Sequence, residues 1–158
     1  MTAAGAKFAK EAVMVIGSAK IPRYILRDSL GYASPRVLLT SRQIGAIVLY
    51  GFSDKPEYDD FISSNESALM PYPLVRGYLE RSLDNSLLQL IVLDAEFSQQ
   101  SHLRAATFDD VLDSFRNNAP TVRVTHQLMI DTESAAYRIE EINYRAEASD
   151  ALLQINFL

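Results

Sequence analysis

The chain has no cysteine and no tryptophan, only two histidines, and six glycines among its 158 residues. Missing cysteine removes disulfides, thiol catalysis, zinc ribbons and iron–sulfur ligation together. With His102 and His126 as the only imidazoles, a zinc centre is a poor reading, and no metal site is assigned. The glycines never assemble a dinucleotide or P-loop fingerprint, and no Gly-x-Ser-x-Gly elbow occurs, so no cofactor is expected. Long apolar runs are also absent. Ala46-Ile47-Val48-Leu49-Tyr50 falls far short of the ~18 residues a spanning helix needs. Residues 1–10 are Ala-rich, carry Lys7 and Lys10, and lack the apolar core of a signal peptide. The expectation is a soluble, cytoplasmic chain with no membrane partner.

What is present is ordinary in amount: 48% hydrophobic and 22% charged residues in 17.7 kDa, which suits one globular domain over 1–158. Charge is less ordinary in its placement. Residues 1–42 hold seven basic groups against Glu11 and Asp28, a net +5, while the remainder is −10. Such polarity signals an anionic partner, or a basic layer that docks on the acidic body of its own or another subunit. The acidic total, with a pI near 5.0, argues against nucleic acid.

The apolar pattern alternates strands and helices. Glu11 to Gly17 reads as a short buried strand, and Gly17-Ser18-Ala19-Lys20 as the turn after it. Pro22 opens a short helix through Leu26, and Ser34-Pro35 starts another over Val37 to Arg42. Ile44–Phe52 is apolar on both faces and Leu87–Phe97 is the most hydrophobic strand candidate, which predicts two interior strands lying side by side. Between them, Asp54 and Pro56 start a helix with Tyr58, Phe61 and Ile62 on one stripe. Pro71 and Pro73 open a second helix carrying Leu74, Val75, Tyr78, Leu79 and Leu83. Phe108, Val111, Leu112 and Phe115 stripe a helix from Thr107 to Asn117. Val122 to Ile130 alternates as one half-buried strand, with His126 on its packed side. From Ala135 to Ala146 a helix and a bulged strand compete; the turn-sized link Asp131–Ser134 favours the strand. The fold class is α+β, with mixed α/β as the alternative. One central sheet of five to six strands carries packed helices and closes in a C-terminal antiparallel meander.

Candidate chemistry is sparse. Asp94 and Glu96, two apart at the carboxyl end of a central strand, sit where open sheets place ligands; they suit acid–base work or a hard metal. His102, in a polar stretch, is their candidate proton carrier. Ser18 and Lys20 offer a phosphate contact in the first turn. Asp59, Asp60, Asp109, Asp110 and Asp113 are explained by helix N-termini, and Arg23 and Arg27 by a solvated face or an ion pair. Tyr72, within the Met70-Pro71-Tyr72-Pro73 stretch, is the candidate surface contact. The apolar tail Leu152–Leu158 calls for a partner strand. Absent any catalytic signature, the reading is a non-enzymatic interaction module that associates with itself or with another protein. The alternative is a small enzyme or ligand-binding protein built on Asp94, Glu96 and His102 around a hard metal or polar substrate.

Overall fold

The computed structural model describes residues 17–39, 45–65 and 68–142. In chain order the strands are β1 (Ser18–Lys20), β2 (Tyr24–Asp28), β3 (Gly31–Tyr32), β4 (Val37–Leu38), β5 (Ala46–Phe52), β6 (Met70–Pro73), β7 (Leu88–Leu93), β8 (His102–Thr107), β9 (Thr121–Arg123), β10 (His126–Asp131) and β11 (Ala136–Glu141). The helices are α1 (Lys55–Ser63), α2 (Arg76–Ser82) and α3 (Phe108–Arg116).

The two most apolar segments pair in parallel as β5 and β7, with Ala46 opposite Leu88 and Gly51 opposite Leu93. Both faces of this pair are covered, which is why neither strand alternates in polarity. Val48, Tyr50, Leu90 and Val92 enter one core cluster, while Leu49, Ile91 and Leu93 enter the other. Around them the sheet runs β3-β2-β5-β7-β8-β10-β11-β4, with β6 on the far edge of β2; β1 and β9 form a separate two-stranded sheet. The architecture is α+β, with three helices among the described residues. The antiparallel meander β8-β10-β11 is present, and the 131–135 link turns β10 into β11 as a hairpin.

The sheet is curled, and the strap between β3 and β4 shows why it must be. Strands β3 and β5 share one edge of β2, since Tyr24 pairs with Phe52, Arg27 with Tyr32, and both pair with β6 on the opposite edge. Laid flat, β3 and β4 would stand five strand spacings apart, about 24 Å at ~4.8 Å each. The five Cα steps from Tyr32 to Val37 reach at most about 18 Å. Closure is visible in the hydrogen bonds. Ala33 accepts from the Tyr50 amide on β5 (3.2 Å), and Arg36 accepts from the Tyr137 amide on β11 (2.9 Å). The enclosed side is filled by Tyr50, Leu90, Val92, Leu103, Leu128 and Tyr137, and α1 seals it with the fully buried Phe61. On the outer side α2 and α3 cover Leu49, Ile91 and Leu93 with Leu79, Phe108, Val111 and Leu112.

Helix starts follow local chemistry. Asp54 caps α1 by accepting from the Lys55 amide (2.8 Å), and Thr107 caps α3 by accepting from the Asp110 amide (3.0 Å).

Several expectations are corrected. The main sheet has nine strands rather than five or six. The excess comes from short pieces that prolines disguise as helix starts. The segment after Pro22 is β2, Val37–Leu38 is β4, and Met70–Pro73 is edge strand β6, with α2 starting only at Arg76. Leu74 donates its amide to Arg23 (2.8 Å), so even-numbered amides there face β2. The missing N–H groups of Pro71 and Pro73 therefore fall on the free edge, where proline is tolerated in a sheet. Ser18–Lys20 is strand β1, not a turn. The expected single strand 122–130 is two strands. The Val124 amide bonds Gly17 in one sheet (3.2 Å) and the Thr125 amide bonds Ala105 in the other (3.0 Å), so the chain changes sheet there. The register of β11 against β10 is continuous through Glu140 and Glu141, with no bulge. The expected strand at 11–16 and the tail Leu152–Leu158 lie outside the described residues.

Candidate functional site

The carboxyl ends of the parallel pair β5–β7 open into a cavity of about 780 Å³. That is the position at which open sheets hold ligands, because the chain must leave the sheet there and the departing loops splay. The volume lies within the ~300–1,000 Å³ range of small-molecule sites. Four walls contribute: the 94–97 loop after β7, the first turns of α1, the β1–β9 ribbon, and Arg104 on β8.

A brace between the two strand ends shapes the floor. Directly after β7, Asp94 takes a left-handed backbone conformation (φ 48°), uncommon for a residue with a side chain. Its amide donates to Gly51 (3.0 Å). Its carboxylate accepts from the Ser53 amide (2.8 Å) and the Ser53 hydroxyl (2.7 Å). The buried Ser53 thus ties the end of β5 to the end of β7 and turns Asp94 towards the opening. Gly51 permits this close approach. A Cβ there would lie 2.3 Å from Ile91 Cγ2 and 3.0 Å from the Pro22 Cβ. The following loop is held by Gln100, whose Oε1 accepts from the Glu96 amide (2.7 Å) and whose Nε2 donates to the His102 carbonyl (3.0 Å).

Glu57 and Asp60 of α1, Asp94 and Glu96 of the loop, Lys20 of β1 and Arg104 of β8 all line the cavity. Four carboxylates face two cations, which gives a cleft with low-dielectric walls a negative potential. Glu57 stands apart from the others. Its Oε2 is buried and has no hydrogen-bond partner among the described residues. A buried acceptor without a donor costs roughly 1–3 kcal/mol.

Of the residues nominated from sequence, Ser18, Lys20, Asp94 and Glu96 meet on this cavity. His102 does not join them. It is the first residue of β8 rather than part of a loop, and its Nε2 is hydrogen-bonded to Gln127 Oε1 (2.9 Å) on β10. Gln127 in turn donates to Glu140 (3.1 Å), so His102 belongs to a polar row crossing three strands. Ser18 and Lys20 present side chains from a paired strand, not the ring of free amides a phosphate loop requires. Among the described residues, no three of His, Asp and Glu converge to hold a metal ion, which leaves the hard-metal reading of Asp94 and Glu96 without a third ligand. Tyr72 lies away from the cavity, on β6, with its ring 5.5 Å from the Arg27 guanidinium. His126 packs inward as expected. Burial pushes its imidazole below the usual histidine range, against a smaller opposing pull from Glu141 and Asp110, and Nδ1 shares a hydrogen bond with the Thr125 hydroxyl (2.8 Å).

Sequence reasoning missed Ser53, Glu57 and Arg104. From sequence, Asp60 reads only as an acid near a helix N-terminus and Glu57 is not singled out; both stand on α1, Glu57 in its first turn. The available signal was Ser53: it follows β5 as Asp94 follows β7, and neighbouring parallel strands end side by side.

A second cavity, of about 600 Å³, lies under the strap between Tyr50 and Tyr137. Burial raises both phenols, Tyr50 well above the usual tyrosine range with Tyr137 adding to its rise, and the Tyr137 hydroxyl donates to the Gln100 carbonyl.

Comparison of the chain with protein-family models, with curated proteins and with solved structures returned no match, so the site is read from its own geometry. No helix among the described residues is long and apolar enough to cross a membrane.

Proposed function

We propose that this protein binds a small polar molecule carrying an ammonium group in the cavity at the β5–β7 ends. The observation that carries this reading is Glu57 Oε2, a buried carboxylate oxygen with no donor, in a cavity whose charged groups are mainly acidic. An amine supplies both the missing donor and the missing positive charge. Asp94, already holding two donors from Ser53, is the fixed wall against which such a ligand is placed, and Glu96 flanks the opening. Binding is favoured over catalysis because no imidazole lines the cavity and Asp94 is committed to Ser53.

Titration of the purified protein with putrescine, spermidine, agmatine and lysine, read by thermal shift and calorimetry, tests the proposal. A ligand at about 100-fold its dissociation constant adds about 2.7 kcal/mol, a shift of several degrees in a domain of this size. At least one amine should stabilise saturably, and Glu57→Gln should weaken it about tenfold or more. Indifference to every amine, with stabilisation by inorganic phosphate instead, would assign the site to Lys20 and Arg104 and overturn the reading.

The interaction-module reading has separate support, an exposed cluster around Arg27 at the other end of the sheet.

A further inference from the structure

At the β2–β3–β6 end of the sheet the Arg27 guanidinium lies between two tyrosine rings, 4.9 Å from the Tyr32 centroid and 5.5 Å from that of Tyr72. The register explains the sandwich. Arg27 is directly opposite Tyr32 on one side and Met70 on the other, and directly opposite pairs share a face. Tyr78 of α2 backs Tyr32 at 5.6 Å. Around this centre Leu30 is 94% exposed, Met70 61% and Tyr72 45%. Tyrosine, arginine and methionine are the residues enriched in protein interfaces, and an arginine stacked on rings loses little freedom when its donors are engaged.

Arg27 has no carboxylate partner among the described residues, and the same holds for Arg23 and Arg36. Four ion pairs among the described residues join Lys55, Arg76 and Arg116 to Asp59, Glu80 and Asp113, and none of the four reaches the 1–42 segment. Asp28, the nearest acid in sequence to Arg27, turns its Oδ1 to the Leu30 and Gly31 amides. Among the described residues, then, these three arginines of the +5 segment 1–42 have no carboxylate of the −10 body paired to them. The free edge of β6 lacks N–H groups at Pro71 and Pro73, so a partner engages side chains rather than adding a strand.

We infer that the Arg27–Tyr32–Tyr72 surface docks on the acidic body of a second copy of this chain. The contact joins two different surfaces of the same molecule. It is therefore head-to-tail, and growth does not stop at a two-fold dimer unless the rotation closes a ring. The apolar rim of Leu30 and Met70 supplies buried area, and Arg27 supplies orientation through charge-assisted hydrogen bonds.

Sedimentation velocity and light scattering across a concentration series, at about 0.02 M and about 1 M salt, test this; the Debye length falls to about 3 Å at the higher value. The expected result is concentration-dependent association extending beyond a dimer at low salt, weakened about tenfold or more by Arg27→Glu and by high salt. Leu30→Ser, on a side chain almost wholly in water, should also weaken it while leaving the melting temperature unchanged, which separates lost contact from lost folding. A monomer at every concentration overturns the inference. A closed dimer insensitive to salt and to Arg27→Glu overturns it equally.

Discussion

The two ends of the sheet leave charge unsatisfied in opposite ways. At the β5–β7 ends it is a carboxylate oxygen, Glu57 Oε2, buried inside a cavity. At the β2–β3–β6 end it is a guanidinium, Arg27, held between rings in the open. The difference lies in what a partner must bring. A buried acceptor has already lost its water, so a single well-placed donor relieves most of its cost, and a small ligand suffices. An exposed guanidinium is still hydrated, and one ion pair in water is worth little. Its partner must bury the surrounding apolar surface too, which only a macromolecule does. Unpaired charge thus implies a small ligand or a protein partner according to its burial, not its sign.

Substitutions can break or sharpen this contrast. The largest effect is expected at the cavity floor. Gly51→Ala drives a methyl against Ile91 and Pro22, both inside the core, and should cost about 3 kcal/mol in urea unfolding and abolish amine binding. A loss under about 0.5 kcal/mol would mean that the β5–β7 ends have room to part.

Next comes Asp94→Ala. It strips the Ser53 amide and hydroxyl of their acceptor and leaves alanine in a left-handed conformation, a loss of about 2–3 kcal/mol. Asp94→Asn, which keeps one acceptor and tolerates that conformation, should lose about half as much. Equal losses would show that the backbone, not the carboxylate, is the brace.

A smaller effect concerns His126, where burial depresses the imidazole. Below the unfolded value of about 6.5 the unfolded chain binds a proton that the folded chain refuses. Stability therefore falls as pH drops from about 6.5 towards the depressed folded value, by up to about 1.4 kcal/mol per unit. His126→Gln should flatten that slope in denaturant titrations between pH 7 and 5. An unchanged slope would transfer it to other groups.

Smallest of all, Glu57→Gln and Tyr72→Ala should each shift unfolding by less than about 1 kcal/mol. Their effects then separate by assay: the first loses amine binding and keeps association, and the second does the reverse. Any variant that lost both would dissolve the distinction between the two ends.

Much of the centre was legible in the residues. Ile44–Phe52 and the Leu90–Leu93 centre of Leu87–Phe97 are continuous apolar runs, and a segment of that kind must be covered on both faces, so β5 and β7 and their adjacency followed. The stripe Phe108, Val111, Leu112 specified α3, although Phe115 turned out half-buried at its rim. Asp94 and Glu96 were legible as site residues because their place at a strand end is itself positional information. Elements β2, β3, β4 and β6 were not legible. Two to five residues hold no period, and Pro22, Pro35, Pro71 and Pro73 carry the same local signal at a helix start as beside a short strand. The break at Val124–Thr125 was equally hidden, since the side-chain parity continues across it while the amides pass to different sheets.

The sequence by itself determined which segments are strand or helix wherever burial repeats with a period, and that a basic N-terminal quarter is joined to an acidic remainder. Tertiary structure alone decided that the sheet curls, that Ser53 meets Asp94 across 41 positions, and that Glu57 loses its partners while Arg27 gains two rings. The physical reason is common to all of these. Propensity and periodicity act over a few neighbouring residues, whereas closure of a sheet and desolvation of a carboxylate depend on which distant segments arrive at the same place.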